Sequence, residues 1–309
     1  MVSADVSLGG SPLDTVATRN AVWVLTCARR CSSLQSSAGQ LVEVASLSGR
    51  VIRRFPVADP QAFAIGNGAI WIAHLLNGTV TRVDPRDGRT IATIHLTLPK
   101  PIQGNDHDWE FLPSSISFGN ATVWVSTARG WIAEINPRTS QLITTVSTMS
   151  EDNATATGSH GTWVAEELGG LGFIPRHSQR LTLQRISEAG QSVDVVGLVS
   201  GGELIWALGS FAPPADPTKS ADIITAIDAR TGHIAHQTQF SGDYSFAYGN
   251  GALYGADFSS GLLVRVGTDY KVHRLRLPRG SESLVAATPG AVWATTSSGR
   301  LLRITVTNR

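Results

Sequence analysis

One short segment of the chain concentrates side chains with the chemistry of a binding or catalytic site. In the sequence NDHDWE, His107, Asp108 and Glu110 stand together around Trp109. Carboxylate oxygens and imidazole nitrogens bind divalent cations such as Ca²⁺, Mg²⁺ or Mn²⁺, and such a cation polarises a carbonyl group or activates water. The segment therefore predicts metal ligands at His107, Asp108 and Glu110 and a ligand contact at Trp109, whose indole can stack on a bound molecule.

A second set of candidates is spaced regularly along the chain. A small residue or Gly/Asn turn, an apolar residue, an aromatic residue and a short β-type run recur seven times, and the aromatics are Trp23, Trp71, Trp124, Trp163, Trp206, Tyr254 and Trp293. Three positions after each aromatic stand Thr26, His74, Thr127, Glu166, Gly209, Asp257 and Thr296. We predict catalytic roles for the ionisable members, His74, Glu166 and Asp257, and for His107, because a buried carboxylate or imidazole can act as a general base. Glu166 is also a predicted metal ligand.

The repeat predicts an all-β fold that positions these residues. Seven units in 309 residues give about 44 residues each, which is the size of a four-stranded propeller blade. Tight-turn sequences such as VDPRDGR, INPRTSQ and IDARTGH follow the aromatics, so we place the aromatic on strand b and the turn between strands c and d. The expected architecture is one seven-bladed β-propeller domain over residues 1–309, with antiparallel blades at about 12–57, 58–98, 111–149, 150–189, 190–240, 241–278, and 282–309 plus 3–8.

The two ends of the chain complete one blade in this interpretation. The chain stops where the turn between strands c and d of the seventh blade is due, so that blade lacks its outer strand. The segment Ser3–Leu8 precedes the first blade and can supply that strand, which would close the ring and remove an exposed sheet edge. A closed ring of this kind need not oligomerise, and we expect a monomer.

Length variation points to one face of the predicted propeller. Connections between strands b and c and between consecutive blades leave one face, and the extra residues fall there, at 27–39, 98–113, 148–155 and 209–221. Long loops on a regular scaffold are where binding residues concentrate. We therefore expect a small molecule or a protein to bind at this face and at the central funnel, with Arg129, Trp131 and Tyr244 as further ligand contacts.

The aromatic strand and the turn V-D-P-x-D/T-G resemble the repeats of YVTN/quinoprotein-like and NHL-like seven-bladed propellers, which share the WD40-like architecture. This resemblance covers residues 3–309 and implies the fold. It does not imply one activity, because the superfamily includes scaffolds, lyases, lactonases and partner-binding domains. In the related streptogramin lyases the chemistry rests on paired inner-strand histidines, and here only His160 stands near strand a, in the turn after it. The resemblance leaves two hypotheses: a ligand- or partner-binding propeller, or a metal-assisted lyase or lactone hydrolase.

Composition excludes some classes of function and leaves the compartment open. The net charge of +1 is too low for a nucleic-acid-binding surface, and no run of 18 apolar residues predicts a membrane span. The N-terminal residues lack the pattern of a signal peptide, so we expect a cytoplasmic protein, or a secreted or cell-envelope protein if an export segment has been removed. Cys27 and Cys31 either form a small disulfide or remain two free thiols.

Overall fold

A computed structural model of the chain describes residues 2–28, 38–97, 112–127, 130–148, 154–166, 170–176, 178, 180–188, 190–213, 220–240, 244–257, 261–277 and 281–305. All regular elements in these ranges are β-strands. Within them, no helix of the length and apolarity needed to cross a bilayer occurs.

The strands follow one another in the order that the repeat predicts. Their bounds are β1 Val2–Ser7, β2 Ser11–Ala17, β3 Ala21–Cys27, β4 Ala38–Ala45, β5 Val51–Ala58, β6 Pro60–Gly66, β7 Ala69–His74, β8 Thr79–Val83, β9 Thr90–His95, β10 Pro113–Gly119, β11 Thr122–Thr127, β12 Trp131–Asn136, β13 Gln141–Ser147, β14 Thr155–Thr157, β15 Gly161–Glu166, β16 Gly170–Pro175, β17 Thr182–Arg185, β18 Ser187–Glu188, β19 Gln191–Ser192, β20 Asp194–Gly201, β21 Leu204–Phe211, β22 Ala221–Asp228, β23 Ile234–Phe240, β24 Tyr244–Gly249, β25 Ala252–Asp257, β26 Leu262–Val266, β27 Val272–Arg276, β28 Ser281–Thr288, β29 Ala291–Thr296 and β30 Arg300–Thr305.

These strands build seven four-stranded antiparallel sheets, and the fold is a seven-bladed β-propeller, as predicted. Sheets one to six are β2–β5, β6–β9, β10–β13, β14–β17, β20–β23 and β24–β27, and sheet seven is β28–β30 with β1 as its outer strand. The strands β18 and β19 form a separate hairpin. The chain divides into two compact units, unit 1 (Met1–Pro60 and Gly242–Arg309) and unit 2 (Gln61–Ser241).

Strand β1 completes sheet seven in unit 1, which confirms the predicted closure by the N-terminal segment. Its register against β30 pairs Asp5 with Leu302 and Val6 with Leu301. The Arg300 guanidinium lies 2.6 Å from the Asp5 carboxylate, and this hydrogen bond raises the pKa of Arg300. Leu8, directly after β1, is fully buried in the core of this unit.

Each repeat aromatic is buried, and where contacts across neighbouring sheets are described, the next sheet's turn covers it. In unit 2, an added Cβ on Gly232, in the turn between β22 and β23, would lie 3.3 Å from the indole of Trp163. In unit 1, the same construction at Gly49 lies 3.9 Å from the indole of Trp293. Both glycines have a positive φ, +76° and +68°. The repeat therefore records sheet-to-sheet packing, with a small turn residue over a large aromatic.

The Gly-Asn pairs at the turns between strands a and b also join neighbouring sheets. In unit 2, Asn67 Nδ2 donates a hydrogen bond of 2.9 Å to the carbonyl of Pro137, one sheet further on. In unit 1, Asn250 Nδ2 donates one of 2.7 Å to the carbonyl of Thr288. These asparagines have φ near +52°, a conformation that asparagine tolerates better than most residues. One short turn thus supplies both the chain reversal and a hydrogen bond to the next sheet.

Candidate functional site

The two ends of the sheets in unit 2 differ in the lengths of the connections found there. At the end where strand b passes to c and each sheet passes to the next, 17 residues separate β9 from β10, 7 separate β13 from β14, 8 separate β17 from β20, and 9 separate β21 from β22. At the opposite end, the connections from a to b and from c to d contain 2–6 residues. We call the first the loop end and the second the turn end.

His74 closes β7 at the loop end, and its side chain is largely enclosed. Only 8% of the residue is exposed. Its Nε2 lies 2.8 Å from the hydroxyl of Thr81 on β8, a hydrogen bond whose direction depends on the imidazole tautomer. The imidazole ring is therefore held in one orientation by a hydrogen bond within its own sheet, and little of its surface is open to a ligand.

Glu166 occupies the equivalent position at the end of β15 and is more deeply buried, with 3% of the residue exposed. An added Cβ on Gly172 of the adjacent strand β16 would lie 3.5 Å from Glu166 Oε1 and would overlap the side chain of Leu181. The glycine at position 172 thus leaves room for the Leu181 side chain, and the Glu166 carboxyl group lies at ordinary contact distance beside it. Sequence reasoning identified Glu166 but missed Gly172, whose only signal is the run Gly169–Gly172.

Two threonines at this position bond within their own sheets. Thr127 Oγ1 donates 3.2 Å to the carbonyl of Trp131, its cross-strand neighbour, and in unit 1 Thr26 Oγ1 donates 3.2 Å to the carbonyl of Gln40. Both threonines are fully buried, with exposures of 1% and 0%. In these two sheets the position is therefore buried and fastens strands b and c together, although β3 continues one residue beyond Thr26 to Cys27.

The structure places some of the other predicted residues and leaves several outside the described ranges. Trp131 begins β12 and is half-buried, and Tyr244 pairs directly with Asp257 on the first rung between β24 and β25 in unit 1. The predicted residues that lie outside the described part of the chain are His107, Asp108, Trp109, Glu110, Arg129 and Cys31.

Two other observations concern the predicted metal and disulfide. Within the described ranges, no group of three His, Cys, Asp or Glu side chains is arranged to hold a metal ion. Of the four predicted ligands only Glu166 belongs to those ranges. Cys27 is buried at the end of β3 with its sulfur in a disulfide bond. Its pairing with Cys31 stays a prediction.

Two carboxyl groups that the sequence did not single out have perturbed acidity. Each lies on strand c, directly opposite a repeat aromatic: Glu43 opposite Trp23 and Glu134 opposite Trp124. Burial raises the pKa of Glu134. Burial also raises the pKa of Glu43, and the positive charge of Arg53, whose Nε lies 2.6 Å from the carboxylate, opposes this effect. Both positions face a packed aromatic rather than the loop end, so we assign them to the sheet-to-sheet contacts.

Comparison with known proteins places the fold and leaves the activity open. No protein-family model matches the chain, and no curated protein matches it by sequence. The structure is similar to Kuenenia stuttgartiensis hydrazine synthase, with a TM-score of 0.73 and 14% identity over 97% of this chain and 96% of that chain. It is also similar to virginiamycin B lyase from Staphylococcus aureus, with a TM-score of 0.71 and 14% identity over 98% of this chain and 99% of that chain.

A third similar structure is a chain of the mitotic checkpoint complex, with a TM-score of 0.71 and 11% identity over 100% of this chain and 95% of that chain. At these identities the similarities establish the architecture alone, a seven-bladed β-propeller. They span almost the full length of each chain, so the resemblance inferred from the repeats is confirmed at the level of fold.

Proposed function

We propose that this chain is a ligand- or partner-binding propeller that acts through the loop end of unit 2. The observation that carries the proposal is the asymmetry of connection length. Four sheets in succession have connections of 2–6 residues at the turn end, whereas connections of 7–17 residues occur at the loop end alone. Rigid scaffolds present variable loops of this kind to their ligands.

The buried ends of strand b support binding rather than catalysis. Thr127 and His74 make hydrogen bonds of 3.2 Å and 2.8 Å within their own sheets, so these two side chains already serve contacts between strands. The connections beyond them then supply the contacts to a ligand. A role in an assembly is compatible with this fold, since one structure of similar fold belongs to the mitotic checkpoint complex.

Shortening one long connection tests this proposal. We would reduce residues 212–220, between β21 and β22, to the four-residue length found between β7 and β8. The control exchanges turns at the opposite end, so that the connection between β12 and β13 replaces the one between β8 and β9. Thermal melts of the parent and both variants are then recorded with a panel of small molecules and divalent cations, because a ligand that binds the folded state raises Tm.

We expect ligands that raise the Tm of the parent and of the control by several degrees to lose this effect in the shortened variant. Equal stabilisation of the shortened variant by every such ligand would overturn the assignment to the loop end.

A metal-assisted lyase or lactone hydrolase is the second candidate, favoured by the burial of two ionisable groups, His74 and Glu166, at the loop end. The similarity to virginiamycin B lyase makes this chemistry compatible with the fold. Turnover of a lactone panel with Ca²⁺, Mg²⁺ or Mn²⁺ should then be abolished in His74→Ala and Glu166→Ala. The variant Thr127→Ala alters the same strand position without an ionisable group and should keep turnover. Equal activity of all three variants would exclude these residues as catalysts.

A further inference from the structure

The turn end of unit 2 carries a set of exposed arginines that the loop-end proposal does not use. In three sheets the turn between strands c and d has one backbone pattern, in which Gly88 donates to Asp84 O, Ser140 to Asn136 O and Gly232 to Asp228 O, over 2.8–2.9 Å. The third position of these turns is Arg86, Arg138 and Arg230, and all three side chains are exposed. Sheet four has a different turn but also presents exposed arginines, Arg176 and Arg180.

The arginines of sheets three and four differ from their neighbours in having no acidic partner. Arg86 Nε lies 3.5 Å from the carboxylate of Asp84 in sheet two, and Asp228 stands two residues before Arg230 in the turn of sheet five. The turns of sheets three and four, residues 136–140 and 175–181, contain no acidic residue in the sequence. Among the described residues, Arg138, Arg176 and Arg180 form no ion pair. Within the described residues, these two adjacent turns therefore present three arginines that no carboxylate pairs with.

The backbone that carries these side chains is fixed by bonds to other strands. The carbonyl of Arg138 accepts a hydrogen bond of 3.4 Å from the Arg82 guanidinium, and the carbonyl before it, of Pro137, accepts the bond from Asn67. The amide of Arg176 donates 2.9 Å to the carbonyl of His160. At Arg138 and Arg176 a ligand would therefore have to order the side chains but not the backbone that carries them, which lowers the entropic cost of binding.

The contrast with unit 1 argues against a general property of the repeat. The turn between β4 and β5 has the same backbone pattern, with Gly49 N donating 2.9 Å to Ala45 O, but its third position is Leu47, which is 84% exposed. The turn geometry thus accepts an apolar residue at this position. The arginines of unit 2 are not required by the backbone.

We infer that the surface formed by Arg138, Arg176 and Arg180, the arginine surface, binds an extended acidic segment of a protein partner. Neighbouring sheets pack about 10 Å apart and an extended chain advances roughly 3.3 Å per residue, so acidic residues three positions apart match adjacent turns. Arginine pairs with carboxylates through its planar fork of donors. A nucleic acid fits less well, because its phosphates are closely spaced and would meet Asp84, Asp87 and Asp228 on the flanking turns.

Binding of defined peptides tests this inference. The probe is a fluorescent peptide of twelve or so residues with glutamate at every third position, and a second peptide carries the same glutamates clustered at one end. Fluorescence anisotropy is measured for the parent, for Arg138→Glu/Arg176→Glu, and for the control Arg274→Glu/Arg276→Glu, which makes the same charge change on the exposed strand β27 of unit 1. A single-stranded oligonucleotide of equal charge is measured in parallel.

We expect the spaced peptide to bind the parent more tightly than the clustered peptide or the oligonucleotide, with affinity falling as salt is added. The variant of the arginine surface should lose at least tenfold in affinity, and the control should change less than twofold. If the charge reversal impairs folding, Arg138→Gln/Arg176→Gln is used instead and should lose severalfold. No binding to the parent, an equal loss in the control, or tighter binding of the oligonucleotide would overturn the inference.

Discussion

Gly66 ends β6 at a point where the neighbouring sheet comes too close for any side chain. A Cβ built on Gly66 would overlap the aromatic ring of Phe118 on β10. Its φ is not in the positive range, so alanine is opposed at this position by packing alone. Gly68, two residues later, is the reverse case, because its φ is +70° and an added Cβ would have nothing within 4 Å. Gly66 and Gly68 thus show two different reasons for a glycine within one turn, close packing at the first and backbone conformation at the second.

The expected losses follow from these two causes. Gly66→Ala forces an extra methyl group into a packed contact, which costs about 1–3 kcal/mol in the free energy of unfolding. Gly68→Ala holds a non-glycine residue in the left-handed region, which costs roughly 1–2 kcal/mol. Because these magnitudes overlap, a second substitution, Phe118→Ala, distinguishes them. It removes the ring that the methyl group of Gly66→Ala would meet and leaves the backbone at Gly68 unchanged.

Urea unfolding followed by tryptophan fluorescence measures both double-mutant cycles. We expect Gly66→Ala and Phe118→Ala to be coupled by about 1–3 kcal/mol, so that the double variant is more stable than the sum of its single changes predicts. Gly68→Ala and Phe118→Ala should add within about 0.5 kcal/mol. The packing argument fails if Gly66→Ala leaves stability unchanged, or if the two cycles give the same coupling.

Three further outcomes follow from single side chains. Asn67→Gly removes one hydrogen bond to the neighbouring sheet and Asn250→Gly removes two, so we expect urea melts to show losses of about 1 and about 2 kcal/mol, and equal losses would contradict the bond count. Burial raises the pKa of Glu134, so the ionised form of this side chain opposes folding. Glu134→Gln should therefore raise Tm at pH 7 but not below the ordinary carboxyl pKa of 4.5, and a rise that does not depend on pH would contradict this cause. The backbone amide and the hydroxyl of Thr231 lower the pKa of Asp228. The contribution of Asp228 to stability is therefore complete above the ordinary aspartate pKa and is lost as pH falls through the lowered pKa. Asp228→Asn should reduce Tm at pH 7 only, and a reduction that persists in strong acid would refute this explanation.

The sequence predicts the architecture because its strongest signal is one that packing must produce. An aromatic at the same place in seven units has to be buried by something, and the described turns at Gly49 and Gly232 show that the next sheet does so. The pairing of β1 with β30 was also predicted, because the segment Ser3–Leu8 precedes the first repeat and has no place in the first blade. Both inferences use only the spacing of residues along the chain, which can be read without knowing any side-chain contact.

The candidate site was less predictable, because the residues that share one strand position differ in type and in the contacts they make. Sequence reasoning places Thr127, His74 and Glu166 together at the end of strand b. It gives no sign that Thr127 bonds to the carbonyl opposite or that the Glu166 carboxyl lies over Gly172. The arginine surface was missed for a similar reason: part of its signal, Pro-Arg in the turn INPRTSQ, predicts only a tight turn.

The two ends of the sheets are constrained differently, and this difference limits how each can acquire function. At the turn end, Asn67 bonds to the turn of the next sheet and Gly232 packs over Trp163, so inserting residues there would break a sheet-to-sheet contact. New binding at that end has to come from exchanging exposed side chains on short turns, as in the contrast between Leu47 and Arg138. At the loop end, the long connections have no such fixed length, and insertions can add contacts there without disturbing the packing of the sheets.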